Sequence, residues 1–155
     1  MHMERHNDTP SDTTLGHLSE DISFVTRILR TKILEANESF FAKHNVVGGE
    51  VAVLNLIDLN PGLTQKELAH MVVLRKSALT KLVNELEQTG VIERRKEGSD
   101  KRLNALYLTG EGQSRLANIK PDIAKLQEEL LGPLSPGERA MLFELLWRVI
   151  QPQEK

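Results

Sequence analysis

The stretch 64–102, TQKELAHMVVLRKSALTKLVNELEQTGVIERRKEGSDKR, constrains the fold more than any other part of the 155-residue chain. Thr64-Gln65-Lys66-Glu67 reads as a capping box, in which a hydroxyl and a carboxylate three residues apart satisfy free amides of a first helical turn. The helix it opens can run only to about Met71, with Leu68 and Met71 inward. A second helix spans about Arg75 to Gln88, apolar at Leu79, Leu82, Val83 and Leu86, and Gly90 ends it as a C-cap glycine. Its opposite face carries Arg75, Lys76, Ser77, Thr80, Lys81 and Asn84. Residues 91–95 and 105–108 then read as short strands, joined by a charged segment whose Gly98 and Asp100 are turn formers. Two short helices followed by a charged hairpin is the element order of a winged helix-turn-helix.

The flanks predict a helical layer around that centre. Residues 1–14 lack apolar periodicity and contain Pro10, which makes them a tail. From residue 15 to 42, Leu15, Leu18, Ile22, Val25, Leu29, Ile33, Ala36 and Phe40 recur at steps of three and four, with Asp12 or Thr13 as the cap. Such a helix is about 42 Å long, more than one compact domain needs, so it is either a long core helix or one that also packs on a second subunit. Gly48-Gly49 break the chain before a short helix over residues 50–59, which Asn60-Pro61-Gly62 stops. Thr109 opens a further helix with Glu111 in its first turn, and Pro121 is expected to kink or break it. Ser135-Pro136-Gly137-Glu138 is a second capping box, and the helix after it is apolar at Met141, Leu142, Leu145, Leu146, Val149 and Ile150. That face is too broad for one small domain to cover. The expected organisation is mainly α with a small β-hairpin wing: residues 47–109 form the winged domain, and residues 15–46 and 110–150 form dimerisation helices.

Charge is distributed to match. The net charge of -2 argues weakly against nucleic acid as a partner, but residues 64–102 hold nine Lys and Arg against six acids, whereas the rest holds eleven against sixteen. Positive charge therefore sits where the motif needs it. With no cysteine, disulfides and thiolate metal sites are excluded, and the five histidines form an H-x-x-x-H pair only at His2 and His6, in the tail. No phosphate-cradling glycine loop, dinucleotide fingerprint or nucleophile elbow occurs, so no cofactor and no enzyme activity are expected. The absence of an apolar run near 18 residues and of a signal-peptide core predicts a cytoplasmic protein without a membrane partner.

A helix presenting Ser77, Thr80, Lys81 and Asn84 at helical steps can enter a major groove about 12 Å wide, with Arg75, Lys76 and Lys81 neutralising phosphates. Thr64, Gln65 and Lys66 stand at the start of the preceding helix, where free amides suit a phosphate. Arg94, Arg95, Lys96, Asp100, Lys101 and Arg102 extend the basic surface along the wing, and Asp100 can orient Arg102 toward a narrow minor groove. Read alone, the helix face is as compatible with a solvated amphipathic surface, and the charged tip with a device against sheet aggregation.

The chain resembles the MarR group of bacterial winged-helix regulators over nearly all of residues 15–150. The resemblance is carried by Leu63-Thr64-Gln65-Lys66-Glu67-Leu68-Ala69, Lys76-Ser77-Ala78-Leu79-Thr80-Lys81-Leu82-Val83, Leu86-Glu87-Gln88-Thr89-Gly90-Val91-Ile92, Asp100-Lys101-Arg102 and Leu108-Thr109-Gly110-Glu111-Gly112. It implies a homodimer that binds double-stranded DNA at a pseudo-palindromic operator, commonly as a repressor released by a small ligand. By the same resemblance Ser77, Thr80 and Lys81 look like major-groove contacts and Arg102 like a minor-groove arginine braced by Asp100. It further implies a cleft for an aromatic acid or phenol, for which His17, Ser23, Arg27, His44 and Asp58 are polar candidates, Arg27 being the natural partner for a carboxylate. One departure stands out: the turn Val72-Val73-Leu74-Arg75 lacks the usual capping Ser or Asp before the second helix. Two other readings stay open, a winged domain turned protein-interaction module and a small-ligand-binding protein without DNA function.

Overall fold

Burial of one face of the chain's second short helix organises the centre of the protein. The computed structural model describes residues 13–98 and 104–151, in two units, Met1–Ala36 and Asn37–Lys155. The first contains a 3-10 turn, Gly16–Glu20, and the beginning of α1, Ile22–His44. The second contains the last turns of α1, then α2 (Glu50–Leu59), β1 (Leu63–Thr64), α3 (Gln65–Met71), α4 (Lys76–Gln88), β2 (Ile92–Lys96), β3 (Asn104–Leu108), α5 (Gly110–Leu131) and α6 (Pro136–Ile150).

The expected single helix over residues 15–42 is divided. Asp21 is extended, and its carboxylate accepts the Phe24 amide at 2.8 Å, so the helix cap lies at Asp21 rather than at Asp12 or Thr13. Asp12 lies outside the described residues, and Thr13 lies in no helix. At 23 residues α1 is about 35 Å long. None of the described residues of the first unit is buried.

In the second unit Leu54, Ile57, Leu68, Leu79, Val83, Ile92, Leu106, Leu116 and Ile119 form a continuous core, joined by Phe40 from α1. Each such side chain contributes about 1.5–3 kcal/mol by leaving water. The sheet has three antiparallel strands in the order β1-β3-β2, not the two of a free hairpin. One row of its register reads Leu63, Leu106, Arg94 and the next Thr64, Ala105, Arg95. β1 is only two residues long and gives no periodicity to read; its pairing with β3 clamps the wing's root to the start of α3.

The helix ends follow their local chemistry. Thr64 and Glu67 form the reciprocal capping box of α3, and Ser135 and Glu138 that of α6. α4 closes in a Schellman arrangement: the Gly90 amide donates to the Glu87 carbonyl at 3.0 Å, the Val91 amide to the Leu86 carbonyl at 2.9 Å, and Gly90 takes φ 75°. Met71, expected inward, is about half exposed: α3 stops there after two turns, and Val72, the extended residue that follows, packs against the core instead. α5 is not broken at Pro121; it continues to Leu131, since the proline withdraws a single ladder bond while Leu116 and Ile119 before it and Ile123 and Leu126 after it keep packing on one core.

Two features hold α5 against the rest of its unit. Glu50, the buried charged residue of α2, accepts from Arg115 Nε at 2.6 Å and from the Val47 amide at 3.1 Å, and Arg115 also reaches the Asn45 carbonyl at 3.2 Å. Gly112, in the first turn of α5, passes so close to the Val91 carbonyl that an added Cβ would overlap it. Gly112→Ala is therefore expected to lower stability by about 3 kcal/mol, seen as a fall in the urea midpoint with little change in slope. Arg115→Met, which strands the Glu50 carboxylate, should cost about 3–5 kcal/mol, and adding Glu50→Gln to it should restore a large part of the loss.

Candidate nucleic-acid interface

The exposed side of α4 follows from its buried one. With Leu79, Leu82, Val83 and Leu86 turned inward, Ser77, Thr80, Lys81 and Asn84 are brought to one open, shallow concavity of about 920 Å³ along the outside of the helix. Lys76 and Gln88 stand at its ends, and Glu85 lies 3.9 Å from the Lys81 ammonium. The sequence places α4 from Arg75; the structure starts it at Lys76, with Arg75 as an extended N-cap whose side chain makes no cap hydrogen bond. The N-terminal amides of α4 thus lack the side-chain partner that Thr64 gives α3, and such amides suit an anion. Thr64 itself is occupied by its capping box, its hydroxyl and amide both 2.8 Å from Glu67, which holds the Glu67 carboxyl below its ordinary range. Lys66 is exposed two residues further on.

Arg94, Arg95 and Lys96 cannot share one surface, because side chains alternate along a strand. Arg94 is turned toward the helices: it pairs with Glu87, and its other terminal nitrogen donates to Asn84 Oδ1 at 2.9 Å and to Gln65 Oε1 at 3.3 Å. The Gln65 amide in turn donates to the Thr80 hydroxyl at 3.1 Å. Arg95 lies on the reverse face, over the Tyr107 ring at 4.2 Å and paired with Glu93. That pairing raises the Arg95 pKa above its already high ordinary value. Tyr107 donates to Glu97 at 2.6 Å, which pushes its phenol up. Lys96 is exposed near the end of β2, and Asp100, Lys101 and Arg102 lie outside the described residues. Glu87 was missed as a member of this group. Its spacing from Thr80 and Asn84, four and then three residues, is the signal that places it on their side of α4.

The candidate ligand residues belong to both units. His17 lies in the 3-10 turn; Ser23 and Arg27 are exposed on the first turns of α1. In the second unit, His44 stacks on Phe40 at 4.8 Å and lies 2.7 Å from the Asp122 carboxylate, while Asp58 pairs with Lys120 at 3.3 Å. Lys43 shares the same Asp122 oxygen, and Lys43 first, then His44, hold that carboxyl below its usual range.

A short capped helix, a following helix with a basic and hydrogen-bonding face, and a strand ladder closing beside both define a winged helix-turn-helix fold. Residues 45–103 match the model of the MarR family. Over 155 aligned residues the chain is 29% identical to the regulatory protein proposed for the hcr operon of Thauera aromatica, spanning 95% of this chain and 92% of that one. Its fold matches that of the transcriptional repressor CouR bound to a 23-mer DNA duplex, with TM-score 0.82, 26% identity and coverage of 91% and 100%. It also matches PcaV of Streptomyces coelicolor in complex with its natural ligand, with TM-score 0.78, 25% identity and coverage of 92% and 100%. The chain is thus similar to MarR-family proteins and to transcriptional regulators.

The carboxylates on these elements set an acid limit. Glu67, Asp122 and Glu138 all have folded-state pKa values below their ordinary ones, so unfolding takes up protons as the pH drops. Their stabilisation is complete above the ordinary carboxylate range, near pH 4–5, and is lost as pH falls through the lowered values. Urea midpoints measured from pH 6 to pH 3 should fall along that path, and Asp122→Asn should make the acid-side decline shallower.

Proposed function

We propose that the chain is a homodimeric repressor that grips a pseudo-palindromic operator through two copies of α4 and releases it when a small aromatic acid or phenol binds. Supporting the dimer are two unpartnered apolar faces. α6 has no buried residue, and Met141, Leu145, Trp147, Val149 and Ile150 are each 46–73% exposed. Leu15, Ile22, Ile28 and Leu34 at the other end of the chain are 50–64% exposed. Single exposed apolar residues are ordinary, but two faces of this breadth call for a partner surface. In this reading residues 15–46 and 110–150 supply the dimer layer, residues 47–109 the DNA-binding domain, and residues 1–14 a tail.

The observation that carries the DNA reading is the exposed α4 row of Ser77, Thr80, Lys81 and Asn84. In a dimer the two rows would lie about one helical turn of DNA apart, roughly 34 Å. Arg75, Lys76, Lys66 and Lys96 would neutralise phosphates, and Arg102, braced by Asp100, together with Lys101, would serve the minor groove. A repressor function accords with the likeness to CouR, and an effector with the likeness to PcaV, which was captured with its natural ligand. His17, Ser23, Arg27, His44 and Asp58 are the residues proposed to line an effector cleft, with Arg27 the partner for a carboxylate. No helix of the described residues is long and apolar enough to cross a membrane, and a cytoplasmic setting fits a protein that works on DNA.

Duplex affinity of the full chain, measured against salt, tests this reading. Arg102→Ala should weaken binding to all duplexes and reduce the slope of log K on log salt by about two units for a dimer. Negligible binding to every duplex at low salt would sink it in favour of a protein-interaction module. Trp147 is the single tryptophan, so its emission should shift to the blue as micromolar protein associates. Leu145→Glu should give a monomer by sedimentation and lose at least 100-fold in operator affinity; a wild-type protein monomeric at that concentration contradicts the dimer.

A further inference from the structure

The strongest unabsorbed feature is the cluster in which one wing arginine reaches three side chains on two helices. Arg94 has only a fifth of its side chain exposed, and its two terminal nitrogens are committed to Glu87, Asn84 and Gln65. A guanidinium has no acceptor, so the amide groups facing it must present their oxygens. That fixes both amides. Asn84 gives its oxygen to Arg94 and turns its NH₂ to the open side of α4. Gln65 gives its oxygen to Arg94 and its NH₂ to Thr80, whose hydroxyl, having accepted, keeps its own proton to donate. Thr80 and Asn84 both line the open face of α4.

We propose that Arg94 is a positioning residue rather than a phosphate contact, and that it sets the operator preference by orienting Asn84 and Thr80 as hydrogen-bond donors toward base acceptors. The complementary base edges in a major groove are purine N7, guanine O6 and thymine O4, not the amino groups of cytosine and adenine. Glu87, which would repel phosphates, is neutralised in the same cluster. This inference rests on the reading of α4 as the groove-facing helix.

Arg94→Lys separates the alternatives, because it keeps a positive charge for a phosphate but cannot bridge three acceptors. The wild-type protein is used to select duplexes from a randomised library. Wild type, Arg94→Lys, Arg94→Gln and Glu87→Gln are then titrated with the selected duplex and a scrambled one at several salt concentrations, after thermal melts confirm folding. For Arg94→Lys the expected result is a fall of about 10-fold or more in the selected-to-scrambled affinity ratio, with the salt slope held within half a unit. Glu87→Gln, which keeps the arginine but loosens its anchor, should reduce the ratio in the same direction. Replacing adenine and guanine by their 7-deaza analogues should weaken wild-type binding at one half-site position or more, and weaken Arg94→Lys less at that position.

An unchanged ratio in Arg94→Lys, together with a slope reduced by about two units per dimer in Arg94→Gln, identifies a phosphate contact and overturns the proposal. Indifference of wild type to both deaza substitutions, to removal of every guanine O6 and to removal of every thymine O4 overturns the donor assignment. A wild type that binds duplexes but enriches no sequence also overturns it, whereas a wild type that binds no duplex removes the DNA reading itself.

Discussion

The burial of Leu106 at the middle of β3 is the contact on which the other features depend. β3 lies between β1 and β2, and Leu106 is fully buried in the core that also contains Leu68 of α3, Leu79 and Val83 of α4 and Leu116 of α5. Through that residue the strand ladder, α3 and α4 share one apolar cluster. Polar side chains can then be aimed without being individually stabilised, because the direction of α4 is set by what its other face buries.

Around this core the charged groups do different work according to their exposure. Glu50 is drawn inside and, through the partly exposed Arg115, fixes α5 against α2 and the turn after α1, whereas Lys66, Lys76 and Lys81 remain in water, where they add positive field without ordering anything. Arg94 falls between these cases. It is sheltered enough for its hydrogen bonds to be directional, yet it borders the surface that would meet DNA.

Much of this was legible from residue spacing. Both capping boxes, the Gly90 stop, the ten-residue α2 and the α4 stripe followed from local rules, because caps and amphipathic stripes are encoded within a few residues. What escaped was set at longer range. β1 exists only because Leu63 and Thr64 meet β3, forty residues away; α5 passes Pro121 because packing on both sides outweighs one missing bond; and the break at Asp21 was hidden by an apolar rhythm that ran straight across it. At the site, the residue types were readable but not their partners. Arg94 and Arg95 are neighbours in sequence and occupy opposite faces of a strand, and nothing in composition says that the first meets Glu87 while the second covers Tyr107.

The register row Leu63, Leu106, Arg94 gives the wing the mechanics of a cantilever. Beyond it β1 stays alongside for one more row, Thr64, Ala105 and Arg95, and the ladder then continues as the pair Lys96 and Asn104 alone, so it is a beam gripped at its root. Load applied along such a beam is reacted at the clamp, and the clamp is the row that holds Arg94. In the proposed reading, a displacement of the wing by DNA would be delivered to the guanidinium that orients Asn84, so the shape of the minor groove and the chemistry of the major groove would be two inputs to a single joint.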